Sequence, residues 1–328
     1  MKINNKYKKN ILSVFFILNS FILSAATAQY QAENYNLKLS YNDTLVPGDA
    51  IFVRMSIQTP KHKKNKFDFE KKAELQLSKD NKILEKSVFY SLDKKKNSNI
   101  SDMLCGVPLS SWLKDGSYKL KVIFSISESE TYEFFLPVYF KDRAFDEEII
   151  PLNESNTAIK TDTSTERMQQ ITKLNDILFS VLAADVYHYK KFISPTASTR
   201  YTAHFADRRT YAYSNGKTST SLHYGNDYGI PEGSEVRACA DGKIVLAEWR
   251  ISTGWSIVIE HLPGLYSLYY HLSEMDVKEG DFVKAGDLIA KSGSTGLATG
   301  PHLHWEIRLN GEAVRPEFFL ENFAFEEE

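Results

Sequence analysis

The stretch Thr299–Ile307, TGPHLHWEI, decides how this chain is read. Its two histidines, His302 and His304, stand one residue apart behind a Gly300-Pro301 step. On a strand, positions i and i+2 share a face, so both imidazoles point together while Leu303 and Trp305 point the other way. On a helix the two would diverge by about 200°. The proline fixes the approach and argues against a helix across this stretch. The expectation is a strand with Leu303 and Trp305 in a core and two histidines facing a cleft.

The same domain holds two further histidine contexts, HYGND and YYHLS. In HYGND, His223 and Asp227 are four residues apart with Gly225 between them. Glycine permits a bend that returns both side chains towards one point. Two imidazoles and a carboxylate form a borderline-soft donor set suited to Zn²⁺, and three protein ligands leave the fourth tetrahedral place open, the pattern of a catalytic site. Each residue also has a plainer reading. A lone histidine can be a hydrogen-bonded core residue, and Asp227 beside Tyr228 and Gly229 can cap a turn.

Further out, the pattern is mostly β. The chain has 328 residues, enough for about two domains at roughly 100–200 residues each. Twenty Phe and eighteen Tyr lean the same way. Ile51, Val53, Met55 and Ile57 alternate with the period of a half-buried strand. Similar short runs over 29–145 predict a β-sandwich-like domain. The basic stretch 61–72 reads as a solvated loop. Residues 145–166 are polar, acidic and Ser/Thr-rich and read as a linker. Ile171, Leu174, Leu178, Val181 and Leu182 then recur at helical spacing, with Ser164 or Thr165 as cap. Linker and connecting helix together occupy 146–195, and a second β-domain fills 196–328. Within it, KEGDFVKAGD (278–287) predicts two tight turns around a short strand.

Residues 1–28 read as a signal peptide, with Lys2, Lys6, Lys8 and Lys9 ahead of an apolar run and Ala26-Thr27-Ala28 as the cleavage site. That predicts a periplasmic or secreted protein with no stable membrane span after cleavage. The formal charge is −2, and −6 once the four leader lysines are removed. No basic excess exists to hold a polyanion, so nucleic acid is excluded as a partner. Cys105 and Cys239 are either a pair or two separate buried thiols.

Taken together, residues 200–318 resemble the LytM/lysostaphin-type zinc metallopeptidases, peptidase family M23. The resemblance is carried by HYGNDYGIPEGSEVRACADGKIV (223–245), GWSIVIEH (254–261), YYHLS (269–273), VKEGDFVKAGDLIAKSGSTGLATGPHLHWEI (277–307) and VRPEFF (314–319), in the family's order. It implies a compact, mostly antiparallel β-fold with a groove leading to a zinc ion. The ion would be held by His223, Asp227 and His304, with His271 and His302 as catalytic histidines off the metal. It also implies a zinc metalloendopeptidase acting on peptide bonds in peptidoglycan stem peptides or cross-bridges. The alternative is a non-catalytic regulator of a wall hydrolase, or an envelope structural or binding module, with an envelope regulatory protein as partner. Loss of a ligand would mark that case, and none is lost. One departure is visible: the family's usual F-G-x-R approach is here FADRR (205–209), with Ala206 in the glycine's place and Arg208 after Asp207.

On this reading, His302 is placed to act as general base, while His271 either hydrogen-bonds the oxyanion or shares proton traffic with His302. Continued alternation puts Glu306 on the histidine side, where it either orients a histidine or faces solvent. Tyr270, Trp249 and Trp255 either line the groove or pack in a core. SGSTGLATG (292–300) lacks the ending of a phosphate loop and reads as a loop shaping the groove.

Overall fold

The computed structural model describes residues 8–11, 26–31, 35–58, 73–92, 100–127, 130–180, 185–323 and 325. The chain is mostly β, as expected, and divides into two units, Met1–Asp142 and Arg143–Glu328. In the first unit, one five-stranded sheet centres on Ala50–Gln58 between Asn36–Tyr41 and Ile100–Pro108. A second is built around Tyr118–Ser127, Ala73–Lys79 and Glu130–Leu136. Alternate residues of both, among them Leu37, Val53, Met55, Leu75, Val122 and Phe124, share one buried core. Period-two patterning produces this because each strand has one face to cover. The expected basic loop 61–72 and most of the leader lie outside the described residues. The Ala26-Thr27-Ala28 site falls in the strand Ala26–Gln31, where Ala28 is buried.

The second unit is organised by a ten-stranded sheet. Its main path runs Tyr201–Ala203, Gly225–Tyr228, Leu303–Leu309, Leu265–Met275, Gly254–Leu262, Gly242–Arg250, Phe282–Val283, every neighbour antiparallel. Leu303, Trp305 and Ile307 are fully buried, which anchors the central strand from one face. The KEGDFVKAGD turns form as expected: the Asp281 and Asp287 carboxylates accept hydrogen bonds from the Lys278 and Lys284 amides at 3.0 and 2.7 Å. The helix Thr165–Leu178 is capped by Ser164, and Leu174 and Leu178 pack against Leu246, Val258, Tyr266 and Leu268. Val181 and Leu182, read as its continuation, lie outside the described residues.

The stretch read as a linker holds a strand and a helix within this unit. Glu147–Pro151 is a strand paired in parallel with Arg208–Ala212, and Glu154–Thr161 is a helix capped by the Asn153 side chain. Its polar composition hid this. Edge pairing uses main-chain groups, and a short capped helix needs little apolar surface. The helix places Asn156 and Thr157 in buried positions. Asn156 Nδ2 donates to the Ala298 carbonyl (3.3 Å), and Thr157 Oγ1 accepts from the Ser214 amide (3.1 Å). Cys105 and Cys239 are both free, buried thiols in different units.

His261, in the strand Gly254–Leu262, is fully buried between the Asp241 carbonyl (2.8 Å) and the Ser267 hydroxyl (2.7 Å). Burial lowers its pKa to about 3. Between the ordinary value of about 6.5 and 3, the unfolded chain takes up a proton that the folded chain refuses, so acidification through this window costs stability. Thermal melts should show the wild type losing stability more steeply than His261→Gln as pH falls from 6.5 to 4. Parallel losses would remove His261 from the account.

Candidate metal centre

Three strands build the centre. Asp227, in Gly225–Tyr228, stands directly opposite His304, in Leu303–Leu309. On the other side of the same strand, Tyr270 stands opposite His304. Gly225 makes the first pairing possible, because a Cβ there would sit 2.3 Å from the Trp305 carbonyl oxygen. His223 enters from the turn before Gly225, its amide donating to the Asp207 carbonyl at 3.0 Å.

The side chains converge closely. His223 Nε2 lies 3.0 Å from Asp227 Oδ1 and 3.0 Å from His304 Nδ1, and His304 Nδ1 lies 2.8 Å from the same Asp227 oxygen. All three residues are buried. The other nitrogen of each ring is engaged elsewhere. His223 Nδ1 is 2.8 Å from the His204 carbonyl, which only accepts, so the ring proton is there. His304 Nε2 is 3.4 Å from Glu306 Oε2. Although burial pushes its pKa up, the Glu306 carboxyl is held below its ordinary value by Arg308 and His304, so it too accepts. When the His304 ring is neutral, His223 Nε2 and His304 Nδ1 are lone pairs facing each other and a carboxylate oxygen.

Three acceptors about 3 Å apart repel unless they share a positive charge. One such charge is a proton. Burial pulls His304 down, but hydrogen bonds to Asp227 and Glu306 outweigh it and raise the ring to about 9. Asp227 is held far below its usual range despite burial, chiefly by His223 and His304. A metal ion is the other. A tetrahedral ion with bonds of about 2.0 Å has donor–donor edges of about 3.3 Å, near the spacing seen here, and the donor types match. These three residues are the one group of three or more His, Cys, Asp or Glu donors among the described residues spaced to hold a metal ion.

Two more imidazoles stand beside this cluster without joining it. His302 Nε2 is 3.7 Å from Asp227 Oδ1, and the His302 and His271 rings are 4.7 Å apart. His271 directly follows Tyr270, and adjacent strand residues normally face opposite ways. Here His271 has φ +61°, a left-handed conformation that costs a side-chain-bearing residue roughly 1–2 kcal/mol. The break in alternation lets both side chains reach the site: Tyr270 stacks on His304 (5.4 Å, 7°) while His271 meets His302. Sequence alternation gave no hint of this. The 292–300 loop sets the tautomers of both rings, with the Thr295 carbonyl 2.7 Å from His271 Nδ1 and the Gly300 carbonyl 2.8 Å from His302 Nδ1. Both Nε2 atoms are left as acceptors. Burial, then His302 and His304, lowers His271 to about 3, so that ring is neutral.

Other expected site residues fall as follows. Glu306 is buried between His304 and Arg308, not exposed on a strand surface. Arg208 lies over the Phe145 ring at 4.6 Å, away from the donors. Arg209, on the opposite face of that strand and not singled out by the sequence, donates to Asp227 Oδ2 at 3.1 Å. Ala206 has φ +64°, which explains why glycine suits the position. Trp249 and Trp255 form an exposed edge-to-face pair and are not core residues.

Known proteins resemble the part of the chain that carries these residues. The model of peptidase family M23 matches residues 221–316. A DD-carboxypeptidase/endopeptidase Mpg from Neisseria meningitidis serogroup B is 46% identical over 95 residues, covering 29% of this chain and 22% of that protein, so the match spans about a fifth of that relative's length. The catalytic domain of the antimicrobial peptidase lysostaphin from Staphylococcus simulans is 34% identical, covering 41% of this chain and 92% of that one, with a TM-score of 0.29. A solved peptidase M23 structure from Pseudomonas aeruginosa covers 86% of this chain and 96% of that one at 20% identity and a TM-score of 0.54, a likeness of fold. Residues 221–316 of this chain are a peptidase family M23 domain.

Proposed function

We propose that the protein is a zinc-dependent endopeptidase that hydrolyses peptide bonds in peptidoglycan, outside the cytoplasm. The observation that carries the reading is the convergence of His223 Nε2, His304 Nδ1 and Asp227 Oδ1 at 2.8–3.0 Å, each imidazole engaged elsewhere through its other nitrogen, beside two imidazoles left off the cluster. A zinc ion held by those three residues supplies Lewis acidity and a water acidic enough to ionise near neutral pH. The chain's own groups do the rest. Glu306 fixes the His304 tautomer so that Nδ1 is free to ligate, and His204 does the same for His223 through its carbonyl. His302 presents a bare Nε2 close to Asp227 and is placed to accept a proton from a water there. His271 also presents a bare, neutral Nε2. As it stands that atom cannot donate a hydrogen bond to an oxyanion, so proton traffic with His302 is the role its geometry favours.

Peptidoglycan is supported by the family resemblance and by relatives described as an endopeptidase and an antimicrobial peptidase. The leader-like segment supports export, and no helix among the described residues is long and apolar enough to cross a membrane. The test is direct. The purified full chain, loaded with zinc, is expected to release new amino groups from isolated peptidoglycan, and a chelator is expected to stop the release. No zinc on elemental analysis together with no release would sink the reading.

A further inference from the structure

The two oxygens of Asp227 are used differently. Oδ1 faces both His223 and His304, while Oδ2 accepts a hydrogen bond from Arg209 Nη2 at 3.1 Å. The Arg209 side chain is 11% exposed, so water competes little for it. Arg209 Nε in turn lies 3.3 Å from Glu148 Oε2. Glu148 belongs to the strand Glu147–Pro151 and stands directly opposite Arg209 in the parallel pairing.

We propose that Arg209 is a positioning residue of the metal centre. It holds the far oxygen of Asp227 so that Oδ1 alone is offered to a cation, and the Glu148 carboxylate adds opposite charge beside Nε as an ion-pair partner without a hydrogen bond. The proposal rests on the metal-centre reading above. A carboxylate turns easily about its last torsion, which is broad and roughly two-fold. A planar, permanently charged guanidinium on one oxygen stops that rotation and favours one-oxygen ligation. Arg208 cannot take over, because it is committed to Phe145. The segment ahead of the family domain, 143–151, is thereby a working part of the site.

The experiment is zinc affinity of the full chain, measured by competition with a chromogenic chelator, with melts of the zinc-free proteins as the folding control. Arg209→Ala is expected to bind zinc roughly 10–100-fold more weakly, as for other partners of metal ligands. Arg209→Lys should recover part of the loss by restoring a charge without the fork. Glu148→Gln should lose a few-fold. The double variant R209A/E148Q should bind no more weakly than R209A, because Glu148 acts through Arg209. Should R209A fail to fold, R209K and Arg209→Met decide by the same measure. Wild-type affinity in folded variants lacking the guanidinium overturns the proposal, and additive losses in the double variant overturn the part given to Glu148. A wild type that binds no zinc fails the metal-centre reading instead.

Discussion

Purified His304→Ala is expected to emerge without zinc and without hydrolytic activity. The substitution removes the Nδ1 that lies 2.8 Å from Asp227 and 3.0 Å from His223. It also strands Glu306, a buried carboxylate whose partners are His304 and Arg308. Changing a residue behind a ligand costs roughly 10–100-fold in metal affinity, and loss of the ligand itself should exceed that. Elemental analysis after dialysis against a weak chelator is the measurement. Stoichiometric zinc in the variant would take His304 out of the ligand set.

His302→Ala is expected to behave in the opposite way. Its Nε2 is 3.7 Å from Asp227 Oδ1, against 2.8–3.0 Å for the other two imidazoles, and its Nδ1 is engaged by the Gly300 carbonyl. Zinc content should stay at the wild-type level while turnover falls roughly 10²–10⁴-fold, the usual contribution of a positioned acid or base. The contrast between two histidines one residue apart makes this informative, since a general unfolding would move both readouts. Equal zinc loss in both variants would overturn the division of roles.

The difference between the two histidines is one of register. His304 lies inside the strand, paired with Asp227 on one side and Tyr270 on the other. His302 precedes it and is tied by an isolated bridge to Gly293 and by its ring to the Gly300 carbonyl, so its position is set by the 292–300 loop. Family relatives named as peptidases match this part of the chain, and the segment contributing Glu148 lies outside the matched residues.

What the sequence determined by itself follows from short-range rules. Period-two alternation put His302, His304 and Glu306 on one side of a strand and Leu303 and Trp305 on the other, and the strand forms from Leu303 to Leu309 with His302 just ahead of it. The spacing of His223 and Asp227 around Gly225 predicted a shared point, and the two side chains meet at 3.0 Å. Such signals are legible because side-chain direction along a strand or through a tight turn is set by neighbours in the chain.

Tertiary structure decided the rest, because those contacts join residues far apart in the chain or break the local rule. Composition made 145–166 a linker, yet main-chain pairing at a sheet edge orders Glu147–Pro151 and sets Glu148 against Arg209. Alternation would have turned His271 away from Tyr270's side, and a left-handed backbone at +61° turns it back. Arg208 and Arg209 are indistinguishable as letters. Which one faces Asp227 depends on how the strand lies in its sheet, since a one-residue change of register exchanges the faces.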